Sequence, residues 1–378
     1  MRVLQIISTI GYYGSESVVS ALCSELRSRN AGLALCILTS RTQRSRALIE
    51  RAVETGIPSL EICCDGRLDW QAIRSLRRFI RDQKITVIHS HNYKSNFYAL
   101  LASLGLNVQL VSTCHNWAYT TRNLRIYAAL DRRVLRHFSR VAAVSQQVSE
   151  ALVRAGIPAH RVTRIDNGIQ VKQFANAVPP ASRTEGITIG TVCRLVPEKG
   201  VADLLHSAKD ILLRHRNVRF LIAGDGPARR EFEELAHKLG ISSHVTFSGF
   251  CKDMPSTYAA MDIFVLPSWN EGMPMSVIEA MAAGKPVVAT FVGSLPQIIT
   301  NETGFLIAPG DRQTLAKVLA VLIENRELRQ SMGREAVIRA RKSFSVQTMA
   351  DSYFRIYEEV CDARLKSHSR HARAQTAV

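Results

Sequence analysis

Short apolar runs alternate with longer, helix-periodic segments along almost the whole chain, and that alternation restricts the fold more than any other property of the sequence. Runs at 3–8, 33–39, 85–89, 109–113, 140–144 and 161–165 are strand-length and rich in Val, Ile and Leu. Such runs are characteristic of parallel strands covered on both faces. Helical patterns at about 16–29, 68–83, 93–104, 121–138 and 146–155 separate them. The second half repeats the alternation, with strands at 187–193, 218–223, 244–248, 262–266 and 286–290 and helices near 200–215, 228–239, 274–283 and 312–324. The pattern predicts an α/β chain of two doubly wound, Rossmann-like domains. An Ala- and Pro-rich stretch without periodicity, 173–186, reads as the linker between residues 1–172 and 187–345. The polar, basic end at 366–378 reads as a disordered tail.

With 378 residues the chain can form two sizeable cores. No apolar run approaches bilayer length, and the first apolar run is too short for a secretory leader. The eight cysteines lack metal-ligand spacing and read as reduced, cytosolic thiols. Charge is uneven: residues 1–180 hold 24 Lys and Arg against 11 Asp and Glu, whereas 181–378 hold 25 against 21. The excess gathers in two helical stretches, 71–81 and 122–140. Attraction to an anionic inner membrane leaflet is the favoured reading, with a solvated helix face the alternative. No nucleic-acid motif or aromatic stacking pattern accompanies the charge, so no nucleic-acid partner is expected.

The stretch from Glu271 to Glu279 concentrates the chemistry. Pro274 stands where a helix should begin after the apolar run 262–266, with one carboxylate before that point and one a turn inside it. A helix start offers free amides and a positive dipole end, a ready anion site. Upstream, Arg194 and Lys199 follow the predicted strand 187–193, at the end where open α/β sheets bind ligands. A guanidinium fork and an ammonium together suit a diphosphate. Two solvated loop cations, and an acid that merely favours the helix dipole, are the plainer readings. No Asp-x-Asp metal motif occurs in the chain, so these cations and the amides of Met275 and Ser276 are expected to neutralise a leaving diphosphate without metal or other cofactor. An ionised Glu279 can accept from both hydroxyls of a ribose.

The order and spacing of these segments resemble the retaining glycosyltransferases of family 4, which have the GT-B architecture. The resemblance rests on Gly11-Tyr-Tyr-Gly14-Ser15, Cys114-His115-Asn116, Ala143-Val-Ser145, Asp166-Asn167-Gly168 and Arg194 with Lys199. It continues through Ala223-Gly-Asp225-Gly226, the Glu271/Glu279 pair and Glu279-Ala-Met-Ala-Ala-Gly284, and so covers nearly the whole chain.

The resemblance implies an acceptor-side first domain, a donor-binding second domain, a cleft between them, and a crossover helix at 346–365 returning to the first domain. It implies His115 beside the donor sugar, Gly14 and Ser15 near the donor phosphate and acceptor, and Gly249 and Phe250 near the nucleobase. Asp225 is a further donor-side candidate, or a simple helix cap; His89 and His91 read equally well as structural. The implied reaction moves a sugar from a nucleotide-sugar donor to a polysaccharide, oligosaccharide or lipid-linked acceptor in cell-envelope synthesis, with retention, in the cytoplasm or on the inner membrane face. A nucleotide-sugar epimerase and a non-catalytic nucleotide-sugar-binding protein are the alternatives.

Overall fold

The computed structural model describes residues 1–8, 14–29, 32–40, 46–54, 56–64, 68–115, 122–180 and 186–375, with backbone alone at 46, 47, 51, 122–128 and 364–375. The chain forms two compact units, residues 1–168 with 346–378 and residues 169–345.

In the first unit seven strands alternate with helices: β1 (Arg2–Ser8), α1 (Gly14–Ser28), β2 (Gly32–Thr39), α2 (Arg46–Glu54), β3 (Ser59–Cys63), α3 (Trp70–Asp82), β4 (Val87–His91), α4 (Tyr93–Ser103), β5 (Gln109–Cys114), α5 (Arg122–Leu135), β6 (Arg140–Ala143), α6 (Gln146–Arg154) and β7 (Val162–Arg164). The sheet is parallel throughout, in the order β3-β2-β1-β4-β5-β6-β7. Leu4, Ile6, Ile88 and Val141 pack with Leu76 and Ile80 of α3 and Tyr98 of α4 in one core. Asp69 caps α3 by accepting from the amides of Gln71 and Ala72.

The second unit follows with α7 (Val171–Ala175), β8 (Ile187–Val192), α8 (Val201–Leu212), β9 (Val218–Ala223), α9 (Arg229–Lys238), β10 (Val245–Gly249), α10 (Met254–Ala259), β11 (Ile263–Leu266), α11 (Met275–Ala282), β12 (Val287–Thr290), α12 (Leu295–Ile298), β13 (Gly304–Ile307), α13 (Arg312–Glu324) and α14 (Arg326–Ser343). Its six parallel strands run β10-β9-β8-β11-β12-β13. Ile189, Phe220, Ile222, Ile263 and Val265 form the sheet's share of a second core, under α8, α9 and α13.

The final helix, α15 (Val346–Gln375), belongs to the first unit and packs on α1 and β5.

Three details differ from the sequence reading. The division falls between Gly168 and Ile169, and residues 171–175 are a short helix rather than linker. Val171 and Phe174 are buried, and the Phe174 ring meets Tyr258 edge-on at 5.8 Å. Strand β4 starts two residues later than expected, so His89 and His91 both lie inside the sheet. Helix α15 runs on to Gln375, past the expected end at 365, in a stretch that holds neither Gly nor Pro to stop a helix.

Candidate active site

Each sheet changes direction once, between β1 and β4 in the first unit and between β8 and β11 in the second. Beyond the carboxyl ends of the strands flanking such a point, α/β sheets bind their ligands. In the second unit these ends carry the basic loop after β8 and the acidic loop before α11.

The basic loop is clamped from two sides. Leu195 donates its amide to Asp225 O at 3.0 Å and accepts from Ala228 N at 3.0 Å. A side chain on Gly224 would overlap the Cys193 carbonyl oxygen, and one on Gly226 the Leu195 carbonyl oxygen. On the other side, Trp269 N donates to Glu198 O at 2.8 Å. Gly200, at φ +67°, presses against the Pro267 carbonyl oxygen. The acidic loop is fixed likewise. Ser294 donates to Gly272 O through both its amide (3.1 Å) and its hydroxyl (2.6 Å), and Gly293 lies against the Glu271 carbonyl oxygen.

Held this way, Lys199 Nζ lies 2.7 Å from Glu271 Oε1, in an ion pair whose carboxylate side chain is 6% exposed. Arg194, on the same loop, is exposed, and among the described residues no carboxylate pairs with it. Helix α11 starts at Met275 after Pro274 and has no side-chain cap, so the amides of Met275 and Ser276 open outward at a positive dipole end. The Lys199–Glu271 pair and the bare helix start that follows Glu271 thus form one corner, with exposed Arg194 on the basic loop leading to it, a setting that favours an anion of about diphosphate charge.

One turn into α11, Glu279 Oε2 accepts from Tyr258 Oη at 2.8 Å. Burial pushes the Glu279 carboxyl up to about 7, only partly offset by that hydrogen bond, from an ordinary 4.5. Between those values the folded chain keeps a proton that the unfolded chain has released. This group's contribution to stability therefore declines as pH rises from 4.5 to about 7, then levels off. Tyr258, on α10, carries no warning in the sequence; its role appears only when α10 and α11 are packed.

The other donor-side candidates are spread over neighbouring strand ends. Asp225 is exposed, accepts from Gly226 N at 2.7 Å and lies 3.6 Å from Arg229, but it does not cap α9, whose N-cap residue is Ala228 and which has no side-chain cap. Gly249, at φ +70°, accepts from Gly224 N at 2.8 Å, and Phe250 beside it is 69% exposed. A groove of about 500 Å³ bounded by Arg219, Thr246 and Asp253 shares no residue with the corner described above. Among the described residues, no three His, Cys, Asp or Glu side chains converge to hold a metal ion.

In the first unit, Gly14 and Ser15 open α1, and Ser15 Oγ donates to Glu16 Oε2 at 2.8 Å. Gly11 and Asn116 lie outside the described residues. His115 follows β5, with Nε2 3.3 Å from His91 Nδ1. Burial pulls its pKa down to about 4, so the ring is neutral at pH 7. Asn92, directly after His91, has φ +73° and donates its side-chain amide to Ser8 O at 2.7 Å, tying the ends of β1 and β4 together. Strain of this kind gathers at binding sites.

The model of the glycosyl transferases group 1 matches residues 173–339, and that of glycosyltransferase family 4 matches residues 12–173. An alpha-D-kanosaminyltransferase from Streptomyces kanamyceticus is 30% identical over 320 residues, 78% of this chain and 82% of that protein. The chain belongs to the group 1, family 4 glycosyltransferases. A D-inositol 3-phosphate glycosyltransferase of Corynebacterium efficiens is 29% identical over 73% of this glycosyltransferase and 72% of its own length. The crystal structure of Anabaena Alr3699/HepE in complex with UDP superposes with a TM-score of 0.82 at 21% identity, covering 95% of this chain and all of that one. The fold of the glycosyltransferase is thus GT-B. Its curated relatives named here are transferases, which gives the epimerase and non-catalytic readings no support. No described helix is long and apolar enough to cross a membrane.

Proposed function

We propose that the protein transfers a sugar from a nucleotide-sugar donor to a polysaccharide, oligosaccharide or lipid-linked acceptor, with retention of anomeric configuration and without a metal. The Lys199–Glu271 pair beside Arg194 and the uncapped start of α11 carries this reading. The pyrophosphate accepts from Arg194, Lys199 and the amides of Met275 and Ser276. Charge on the leaving diphosphate grows as the glycosidic bond breaks, so these donors act most strongly in the transition state. Glu279 accepts from the ribose diol, and Glu271 and His115 face the transferred sugar. The leaving phosphate itself takes the proton of the attacking hydroxyl, on the face from which it departs, which keeps the configuration. Incubation with a panel of nucleotide sugars, with and without membrane lipid extract and with a chelator, tests the reading. Extract-dependent nucleotide release that survives chelation, with an α-linked product from an α-linked donor, is the expected result. An epimerised nucleotide sugar formed without extract contradicts it.

The raised Glu279 pKa gives a second test. Its carboxylate is the form that accepts from two hydroxyls, and it is the minor form below about pH 7. Apparent affinity scales with the competent fraction, so binding of a nucleotide sugar tightens about tenfold from pH 6 to pH 8. Titration calorimetry should show that rise, and Glu279→Gln should bind weakly at both pH values with no slope. A slope retained in the variant assigns the proton elsewhere.

Membrane attachment through the basic first unit belongs to the same proposal. On α3, Arg74, Arg78 and Arg81 are exposed on the turns following Trp70, itself 63% exposed. Each basic residue near an anionic leaflet contributes about 1 kcal/mol, so R74E/R78E/R81E should weaken sedimentation with phosphatidylglycerol vesicles at least about 100-fold. Unchanged sedimentation would return these arginines to the role of a solvated face.

A further inference from the structure

Beneath α15, the sheet of the first unit carries a polar stripe that transfer chemistry does not account for. Gln5 on β1 pairs in register with His89 on β4, and His91 with Thr113 on β5. Paired residues of parallel strands share a face and alternate residues return to it, so Gln5, His89, His91, Thr113 and His115 line one side. Tyr353 and Tyr357, one turn apart on α15, cover that side. All seven side chains are joined. His115 Nε2 lies 3.3 Å from His91 Nδ1, and His91 Nε2 lies 2.8 Å from Gln5 Oε1. Gln5 Nε2 donates to Tyr357 Oη at 3.0 Å, and Tyr357 Oη lies 2.7 Å from His89 Nδ1. His89 Nε2 and Tyr353 Oη each lie 2.7 Å from Thr113 Oγ1.

Burial keeps all three imidazoles neutral, lowering His89 to about 3, His115 to about 4 and His91 well below its usual value. Each ring then holds one proton, and the Gln5 amide sets where it sits. Its oxygen only accepts, so His91 donates from Nε2 and must accept at Nδ1. The only proton available for that bond is on His115 Nε2. On the other side, Tyr357 accepts from Gln5 and donates to His89 Nδ1, which places the His89 proton on Nε2, toward Thr113. Each contact in the chain then joins one donor to one acceptor.

We propose that Gln5, His91 and Tyr357 are positioning residues that lock His115 in its Nε2–H tautomer, leaving Nδ1 as a bare lone pair that accepts from a hydroxyl of the bound sugar. A lone pair repels a phosphate oxygen, so His115 selects the sugar side of the donor. This inference rests on the nucleotide-sugar reading given above for its ligand, but the tautomer can be measured without substrate. In protein labelled with 15N-histidine, the His115 signals should report protonated Nε2 and bare Nδ1. Gln5→Leu and the near-isosteric Tyr357→Phe should each convert them to a tautomer mixture. They should also lower kcat about ten- to a hundred-fold, as loss of the partner that orients a metal-bound histidine does, with the donor KM little changed. A His115 proton on Nδ1 in the wild type overturns the proposal, as do folded variants that keep a single Nε2–H signal. Should Gln5→Leu fail to fold, Tyr357→Phe decides alone. The expected spectra in a protein that turns over no nucleotide sugar would uphold the relay and remove the transfer reading instead.

Discussion

Arg194→Ala and Lys199→Ala are each expected to lower kcat about a hundred- to a thousand-fold, the usual loss when one well-aimed donor to a developing negative charge is removed. The two variants should differ in everything else. Arg194 is exposed, with no described carboxylate beside it, so its loss leaves the folded protein as stable as before. Lys199 neutralises Glu271, whose side chain is 6% exposed. Removing it strands a nearly buried carboxylate, which costs several kcal/mol in a closed interior and less here, where the Lys199 side chain is 26% exposed and solvent reaches the pair. Lys199→Ala should therefore melt earlier as well as turn over slowly, and Lys199→Ala combined with Glu271→Gln should recover stability without recovering kcat. Steady-state kinetics and melting curves on the four proteins separate the two contributions. Near-normal kcat in both single variants would remove the diphosphate from this corner.

Gly200→Ala is expected to be among the most damaging single-methyl changes in the second unit. The residue has φ +67°, which an alanine adopts at a cost of about 1–2 kcal/mol, and its new methyl group would overlap the Pro267 carbonyl oxygen. Pro267 cannot yield easily: it directly follows β11, and Trp269 two residues on bonds back to Glu198. A loss of about 3 kcal/mol or more follows, a fall in Tm of roughly 10 °C for a unit of this size. Because Lys199 is the adjacent residue, any relaxation moves its ammonium, and kcat should fall even at temperatures where the protein is folded. Gly240→Ala is the control. It has the same backbone hand at φ +72° and open space around it, so it should lose only the strain.

The parallel core of both units was legible because its strands are short and apolar on both faces. The elements that escaped lack that signature. Strand β3 lies at the edge and buries only Ile62 fully among its five residues. Helix α14 has a polar sequence and buries Met332, Gly333, Ala336 and Ala340, a stripe too small to stand out as amphipathic. Its glycine is there for contact: a side chain on Gly333 would overlap the Gly284 carbonyl oxygen at the end of α11.

At the site, Arg194, Lys199, Glu271 and Glu279 could be named because each falls at a strand end or helix start. Their pairing could not, since Lys199 and Glu271 are 72 positions apart and meet only when β8 and β11 lie side by side. Tyr258 and the Gln5–Tyr357 link were invisible for the same reason, the latter joining residues 352 positions apart.

The sequence span of that link also orders events during translation. The first unit is interrupted by the whole of the second, because α15 is made after it and yet completes the sheet face begun by β1. On the ribosome, Gln5, His89 and His91 must wait, wetted and without Tyr353 and Tyr357, until α15 has emerged. The second unit, continuous from 169 to 345, can close before its predecessor does. The histidine cluster can therefore be sealed from water only after the chain of the second unit has been made.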